Sequence, residues 1–369
     1  MLAANSFWNL QNFRGGLIRE LAARGFDLAL VAPPGASTGA ADLPGKMIAV
    51  PMRSDGLNPA ADSRLLLRFV ALLRRERPAA LLSWTAKPNI YGALAARLAG
   101  LPALPNVSGL GTAFIRGGAL QHLLSRLYRT AFARCPAVFF QNAEDAELFV
   151  AQRLVRREQV RLLPGSGVDL NRFAAQPMPP EDGPLRLLFV GRLLGDKGVR
   201  ELAAAARLLG GENAPVRLQL LGSVGASNRT AITAAELDGW VGEGILEYLG
   251  DTTDVRPHLA WAHGVILPSY REGLPRSLLE AAASGRPLLA SDVPGCRDVV
   301  EPGANGFLFP ARSPEELASA VRRWLALTTQ QRREMGEAAR RTAEQRFDEG
   351  QVIAAYLREL QALTGPGGE

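Results

Sequence analysis

Two glutamates, Glu272 and Glu280, bracket a seven-residue interval in the run Glu272-Gly-Leu-Pro-Arg-Ser-Leu-Leu-Glu280. The run follows an apolar strand candidate, HGVILPSY, and crosses the start of a helix. Pro275 suits the first helical turn, where its missing N–H has no partner to lose. Backbone N–H groups of the following residues then point past the strand end, where the helix dipole favours a phosphate. Gly273, Leu274, Pro275, Arg276 and Ser277 are the candidate lining of that anion site. Glu272 is expected in the loop beside it. Glu280 is expected about one to two turns into the helix, within reach of a ribose carried by the same phosphates. A solvated helix with an ordinary acidic pair has the same spacing, so the pair alone decides nothing.

A second candidate is Gly191-Arg-Leu-Leu-Gly-Asp-Lys-Gly198, again directly after a strand candidate, RLLFVG. Gly191 permits a tight turn. Arg192 and Lys197 place two cations at a strand end, Arg as a bidentate grip on phosphate oxygens and Lys as a point charge. Lys46, Lys87 and Lys197 are the only lysines in the chain, which sharpens the placement of one here; a basic surface turn is the alternative. A third is Arg14-Gly15-Gly16, read as the start of the first helix, where Gly15 and Gly16 would let a ligand approach the backbone. Two polar, glycine-bearing segments, Ser83–Gly92 and Asn106–Phe114, follow apolar runs and look like acceptor-side loops, with Thr85, Lys87, Asn89, Ser108, Gly109 and Gly111 as candidate contacts. Ordinary loops and caps would look the same. There is no Asp-x-Asp at a strand end and no P-loop, and His122, His258 and His263 do not cluster with carboxylates. No metal and no cofactor are expected, so cations would stabilise a leaving diphosphate in place of a metal.

The elements that must position these residues alternate strand and helix. Helices are predicted at 14–24, 64–77 and 89–99, and strands at 27–32, 45–51, 79–84, 137–141 and 160–163. A proline-rich stretch, FAAQPMPPEDGP at 173–184, has the chemistry of a boundary. Beyond it strands are predicted at 186–190, 217–221, 245–249, 264–267 and 287–290, with helices at 198–209 and 276–284. The alternation implies parallel sheets wrapped by helices. The expected fold is therefore α/β, two doubly wound domains with a ligand between strand C-termini. The expected boundaries are 1–174, 175–345 and a C-terminal helix in 346–369. The first strand has only Leu2–Ala4 to form from, which suggests a recorded start a few residues late.

Composition is consistent with this plan. With 369 residues, 47% apolar and 21% charged, the chain fits two globular domains rather than one core. It lacks a stretch of about 20 apolar residues that would cross a bilayer, and a secretory signal is not evident. Cys135 and Cys296 are far apart and read as reduced thiols, which points to the cytoplasm. The net charge of +6 suits a phosphate-bearing substrate, an anionic membrane face or mere solvation, and no nucleic-acid signature accompanies it.

Taken together, these residues resemble the retaining, GT-B-fold glycosyltransferases of family 4. Glu272 and Glu280 match the family's Glu-x7-Glu motif, and GRLLGDKG its donor-phosphate loop. LPSYREGLPRSLLEAAASGRPLLASDVPG and GANGFLFP match its C-terminal signature block. NFRGGLIRELAARG, AKPNIYGALAARLAGLP, SGLGTAF, FFQNAEDAELF and LLPGSGVDLNRF look like the branch that builds bacterial surface polysaccharides and lipid-linked oligosaccharides. The resemblance covers nearly the whole chain. It implies a GT-B fold, with two Rossmann-like domains facing each other across a cleft and the C-terminal helix packed back on the first. It implies metal-independent transfer of a hexose or N-acetylhexosamine from a nucleotide sugar, UDP-linked by preference, to a polyprenyl-diphosphate-linked acceptor with retention. In this scheme Glu272 orients the donor sugar, Glu280 binds the ribose, Arg192 and Lys197 neutralise the leaving diphosphate, and Gly15 and Gly16 face the phosphates. Two departures stand out: Ser83, Trp84 and Thr85 occupy a stretch where many relatives have a histidine, and Asp298 stands where glutamate is frequent.

The branch also implies work at the cytoplasmic face of the inner membrane. The segment Gly117–Cys135 is a predicted helix in which Leu120, Leu123, Leu124, Leu127, Tyr128 and Phe132 alternate with Arg126, Arg129 and Arg134. It fits a basic amphipathic surface for an anionic bilayer and equally a core-facing helix. Against the transferase stand a GT-B-fold epimerase, for which no acid–base pair beyond Glu272 offers itself, and a catalytically silent glycan-binding partner, against which the intact charged residues argue.

Overall fold

The computed structural model describes residues 1–35, 42–53, 58–109, 119–210, 214–225 and 230–364. It divides into two compact units, Met1–Ser166 with the C-terminal segment from Glu349, and Gly167–Asp348. The proline-rich stretch read as a linker thus lies inside the second unit.

In the first unit the elements are β1 (Leu2–Ala3), α1 (Phe7–Ala23), β2 (Ala29–Ala32), β3 (Lys46–Ala49), α2 (Pro59–Glu76), β4 (Leu81–Trp84), a π-helical turn (Pro88–Gly92) continued by α3 (Ala93–Ala99), β5 (Ala103–Val107), α4 (Ala119–Phe132), β6 (Val138–Phe140), α5 (Ala143–Ala151) and β7 (Val160–Leu162). The strands are parallel in the order β3-β2-β1-β4-β5-β6-β7. Two apolar layers cover the sheet, one around Phe69, Phe132, Phe140 and Phe149, the other around Leu10, Ile18, Trp84 and Phe139. Burial on both faces is why the inner strands β2, β4 and β6 read as apolar runs.

Two expectations change here. The first helix begins at Phe7, not at Arg14, because the Ser6 hydroxyl accepts the Asn9 N–H at 3.0 Å and caps it. Asn106 and Val107 belong to β5, a central strand between β4 and β6 that the prolines at 102 and 105 conceal. Pro105 sits in register with Ser83 and removes one ladder donor, a cost that usually confines proline to edges.

The second unit contains β8 (Leu185–Val190), a 3₁₀ turn (Gly195–Lys197), α6 (Val199–Leu209), β9 (Val216–Leu221), α7 (Ala234–Gly242), β10 (Glu247–Tyr248), α8 (Arg256–Trp261), β11 (Gly264–Leu267), α9 (Arg276–Ala283), β12 (Leu288–Ser291), α10 (Cys296–Val299), β13 (Gly306–Phe309), α11 (Pro314–Leu325) and α12 (Thr329–Arg346). Its parallel sheet runs β10-β9-β8-β11-β12-β13. Counted from its own first strand, this repeats the order of the first unit's first six strands, the doubly wound order 3-2-1-4-5-6. Arg286, fully buried, anchors the proline-rich stretch: it donates to the carbonyls of Leu259 at 2.8 Å, Ala260 at 3.2 Å and Pro177 at 2.9 Å. Burial lowers its pKa to about 10.

The last helix, α13 (Glu349–Thr364), belongs to the first unit. Its Tyr356 is fully buried beside Phe139 and Trp84, with ring centroids 4.4 and 5.8 Å away. The Tyr356 hydroxyl accepts the Trp84 indole N–H at 3.0 Å and the Asn106 amide N–H at 2.7 Å.

Candidate functional site

In doubly wound sheets the order reverses beside the first strand, and ligands bind off the strand C-termini at that point. In the second unit the reversal falls between β8 and β11, and the loops leaving these two strands carry the strongest sequence candidates. Lys197, from the loop after β8, meets Glu272, from the loop after β11, with Nζ 2.5 Å from Oε1. The pair is largely sequestered, the side chains 26% and 12% exposed, so the charges attract with little screening.

Backbone geometry enforces the meeting. Gly198 has φ +73°, and a Cβ there would fall 2.0 Å from the Pro268 carbonyl oxygen. No other residue fits between the loops without moving one of them. The Tyr270 N–H donates to the Asp196 carbonyl at 3.0 Å, a second tie between the same segments.

Helix α9 starts beside this pair. Pro275 is its N-cap residue, one position earlier than expected, and no side chain caps the helix. Gly273, Leu274 and Pro275 form the loop into it, and Ser277 lies in its first turn. Glu280, on the second turn, is bound by Arg276 at 2.7 Å, both side chains mostly buried. Burial raises the Glu280 carboxyl above its usual range, and Arg276 opposes the rise. Gly191 opens the first loop at φ +158°, and Arg192 beside it is exposed and without an ion pair among the described residues. The hydroxyl of Ser269, just beyond β11, is buried with no hydrogen-bond partner among the described residues. A buried hydroxyl left without a partner at this place makes Ser269 a candidate ligand contact. The arrangement offers cations, a carboxylate and uncapped helix N–H groups together, which suits a phosphate ester of a hydroxylated molecule.

The candidates in the first unit are distributed differently. Gly15 and Gly16 lie well inside α1. A Cβ on Gly16 would come 2.6 Å from a Glu349 carboxylate oxygen, and one on Gly15 3.3 Å from the Arg19 guanidinium. The space beside Gly16 thus holds the Glu349 side chain, from the start of α13. Arg14 is buried over the Trp84 ring at 5.0 Å. Lys87 pairs with Asp62 at 2.8 Å in a nearly buried site. Asn89 accepts from the Ser83 hydroxyl at 2.9 Å and donates to the Asn106 carbonyl at 2.7 Å. Both side chains serve the unit's interior.

Thr85 is the candidate that stands out. It leaves β4 at the unit's own switch point, between β1 and β4, with φ +70° and a buried hydroxyl lacking a partner among the described residues. A β-branched residue in left-handed backbone is a costly conformation, of a kind that concentrates at functional sites. The π-helical turn that follows adds another such mark. Ser108 and Gly109, partly exposed, follow β5; Gly111 lies outside the described residues. Of the predicted amphipathic helix, Tyr128 and Phe132 are core, while Leu123 is 50% exposed.

Sequence reasoning passes over Tyr270, Glu201 and Gly295. A Cβ on Gly295 would lie 2.2 Å from the Gly273 carbonyl oxygen, so this glycine admits the loop that carries Glu272. Its φ of +78° leaves a trace in the turn signal Val293-Pro294-Gly295. Among the described residues no helix is long and apolar enough to cross a membrane, and no group of three or more His, Cys, Asp and Glu side chains could hold a metal ion.

Comparison with known proteins bears on both units. Residues 184–326 match the family Glycosyl transferases group 1, and residues 11–165 match the Glycosyl transferase 4-like domain. An N,N'-diacetylbacillosaminyl-diphospho-undecaprenol alpha-1,3-N-acetylgalactosaminyltransferase of Campylobacter jejuni is 24% identical over 330 residues, 85% of each chain. A UDP-Gal:alpha-D-GlcNAc-diphosphoundecaprenol alpha-1,3-galactosyltransferase of Escherichia coli is 24% identical over 284 residues, 74% of this chain and 73% of that one. Among solved structures, Anabaena HepE in complex with UDP and glucose superimposes with a TM-score of 0.78 at 18% identity, covering 98% of this chain and 99% of that one. The doubled fold, the paired loops of the second unit and matches spanning both units agree: the chain is a GT-B-fold enzyme belonging to the group 1 and 4-like glycosyltransferases.

Proposed function

We propose that this enzyme moves a hexose or N-acetylhexosamine from a UDP-sugar to a polyprenyl-diphosphate-linked glycan, without a metal and with retention, in bacterial surface polysaccharide synthesis. The observation that carries the reading is the Lys197–Glu272 pair beside the uncapped start of α9. Lys197 and Arg192 meet the diphosphate, and charge that grows on the leaving oxygen strengthens their hold in the transition state. The acceptor hydroxyl oxygen bonds to the anomeric carbon as the carbon–phosphate-oxygen bond breaks, and the hydroxyl proton passes to the departing phosphate on the same face. Glu272 orients the sugar and forms no covalent intermediate. Glu280 accepts from the ribose hydroxyls, with Arg276 holding its carboxylate. Thr85, Ser108 and Gly109 serve the acceptor. The names of the Campylobacter and Escherichia relatives, which specify diphosphoundecaprenol acceptors, support the acceptor class. We place the enzyme in the cytoplasm, at the inner face of the membrane that holds such acceptors.

The test is nucleoside diphosphate release from a panel of UDP-, GDP- and dTDP-sugars in EDTA, with and without a membrane extract containing lipid-linked acceptors. Release from one UDP-sugar, increased by the extract and abolished in Glu272→Ala, is the expected outcome. Folded protein that binds UDP but releases nothing from any donor would overturn the transfer reaction as proposed.

A further inference from the structure

The two charged groups of the candidate site stand on separate loops, and a pair 2.5 Å long tolerates little slippage between them. One side chain joins those loops from behind. Tyr270, two residues before Glu272, donates its hydroxyl to Glu201 Oε1 at 2.5 Å. Glu201 lies in the first turn of α6, directly after the loop that bears Lys197. The Tyr270 main chain binds the same loop through Asp196. On its other side the tyrosine ring carries the Arg312 guanidinium, 4.5 Å from the centroid. Arg312 follows β13 with φ +62°, an uncommon backbone for a non-glycine residue.

We propose that Tyr270, held by Glu201 and Arg312, is a positioning residue that sets the register between the Lys197 loop and the Glu272 loop. It touches neither of the two charged side chains by the contacts above. It acts by fixing their backbones, so that the cation and the carboxylate are aligned before a donor arrives. Burial, with Glu201 alongside, pushes the Tyr270 hydroxyl up to about 12. The hydroxyl therefore stays protonated, and a donor, throughout the neutral range. Arg312 confines the ring through a cation–π contact. The inference rests on the reading of Lys197 and Glu272 given above.

The experiment compares Tyr270→Phe, Glu201→Ala and Glu201→Gln, each alone and in a Lys197→Ala background. Three quantities are measured: turnover of the UDP-sugar that the wild type consumes, UDP affinity by calorimetry, and hydrogen exchange over residues 191–198. Tyr270→Phe and Glu201→Ala are each expected to lower kcat about ten- to a hundredfold, since a misplaced group costs up to that much. UDP affinity should change less than about threefold, and exchange over 191–198 should rise. Glu201→Gln, which keeps an acceptor oxygen for the hydroxyl, should stay near wild type. In the Lys197→Ala background the effect of Tyr270→Phe should shrink, because the group being positioned is gone.

Unchanged kcat and unchanged exchange in both Tyr270→Phe and Glu201→Ala would overturn the proposal, as would full additivity with Lys197→Ala. If Tyr270→Phe does not fold, Glu201→Ala decides by the same criteria. If Lys197→Ala alone retains full turnover, the reading of the pair fails, whereas loss there with wild-type behaviour in Tyr270→Phe removes only the positioning role. Should no donor be consumed, hydrogen exchange over 191–198 decides: a rise in Tyr270→Phe supports the positioning role, and no rise overturns it.

Discussion

Tyr356→Phe removes one oxygen atom from the middle of the first unit. The ring stays, with its contacts to Phe139 and Trp84. Two donors lose their acceptor, the Trp84 indole N–H and the Asn106 amide. Both residues are fully buried, so water does not replace the missing oxygen. A stranded buried donor costs about 1–3 kcal/mol, and two cost about 2–6 kcal/mol. Leaving the phenol oxygen out of the core returns about 1 kcal/mol of desolvation, so the net loss is about 3 kcal/mol. For a unit of this size each kcal/mol lowers Tm by about 2–4 °C, which gives a drop of about 6–12 °C. Differential scanning calorimetry on wild type, Tyr356→Phe, Trp84→Phe and the double variant measures both the loss and its origin. The double variant should recover part of the loss, because the stranded indole donor has been removed. A drop below about 2 °C, or strict additivity of the two substitutions, would refute the claim that this hydroxyl anchors α13 by satisfying both donors.

Lys197→Ala should lower kcat by about 10²–10³, the scale of a lost oxyanion donor, with a smaller change in donor affinity. Initial-rate kinetics check this, and an unchanged kcat with a raised KM would contradict a transition-state role. Acid should destabilise the second unit through His263, whose pKa is lowered by burial first and by Arg186 second. Its Nδ1 accepts the Arg186 N–H at 3.0 Å, a bond that protonation would break. The unfolded chain therefore takes up this proton first, and the stability from neutral His263 fades as pH falls from about 6.5 toward the lowered folded value. His263→Gln should lose less Tm than wild type between pH 7 and pH 5. Equal losses would assign the acid sensitivity elsewhere.

What the sequence discloses is largely what local chemistry writes. Strands β8, β9, β11 and β12 show themselves because a parallel strand buried on both faces is apolar over most of its length. Gly191 and Gly198 show themselves because their positive-φ backbone favours glycine, and Pro275 because proline is common at helix starts. Strand β5 stays hidden because its prolines are the usual marks of a loop, and only the neighbours β4 and β6 make a strand of it. The start of α1 is concealed for a smaller reason, a serine cap placed well ahead of the first clearly amphipathic turn.

The side-chain partnerships divide along the same line. That Lys197 and Glu272 carry charge is written in the chain; that they meet is decided by a sheet order that places β8 next to β11 across 75 positions. Lys87 looks free for a ligand until α2 brings Asp62 against it. Gly16 looks like open space in the sequence, and the last helix sets the Glu349 side chain beside it. By itself the sequence determined the alternation of elements, the doubled fold and the residue types of the site, because those follow from hydrophobic period and backbone geometry. Only the tertiary structure decided which charged groups meet, since that depends on contacts between residues far apart in the chain, and no local pattern encodes them.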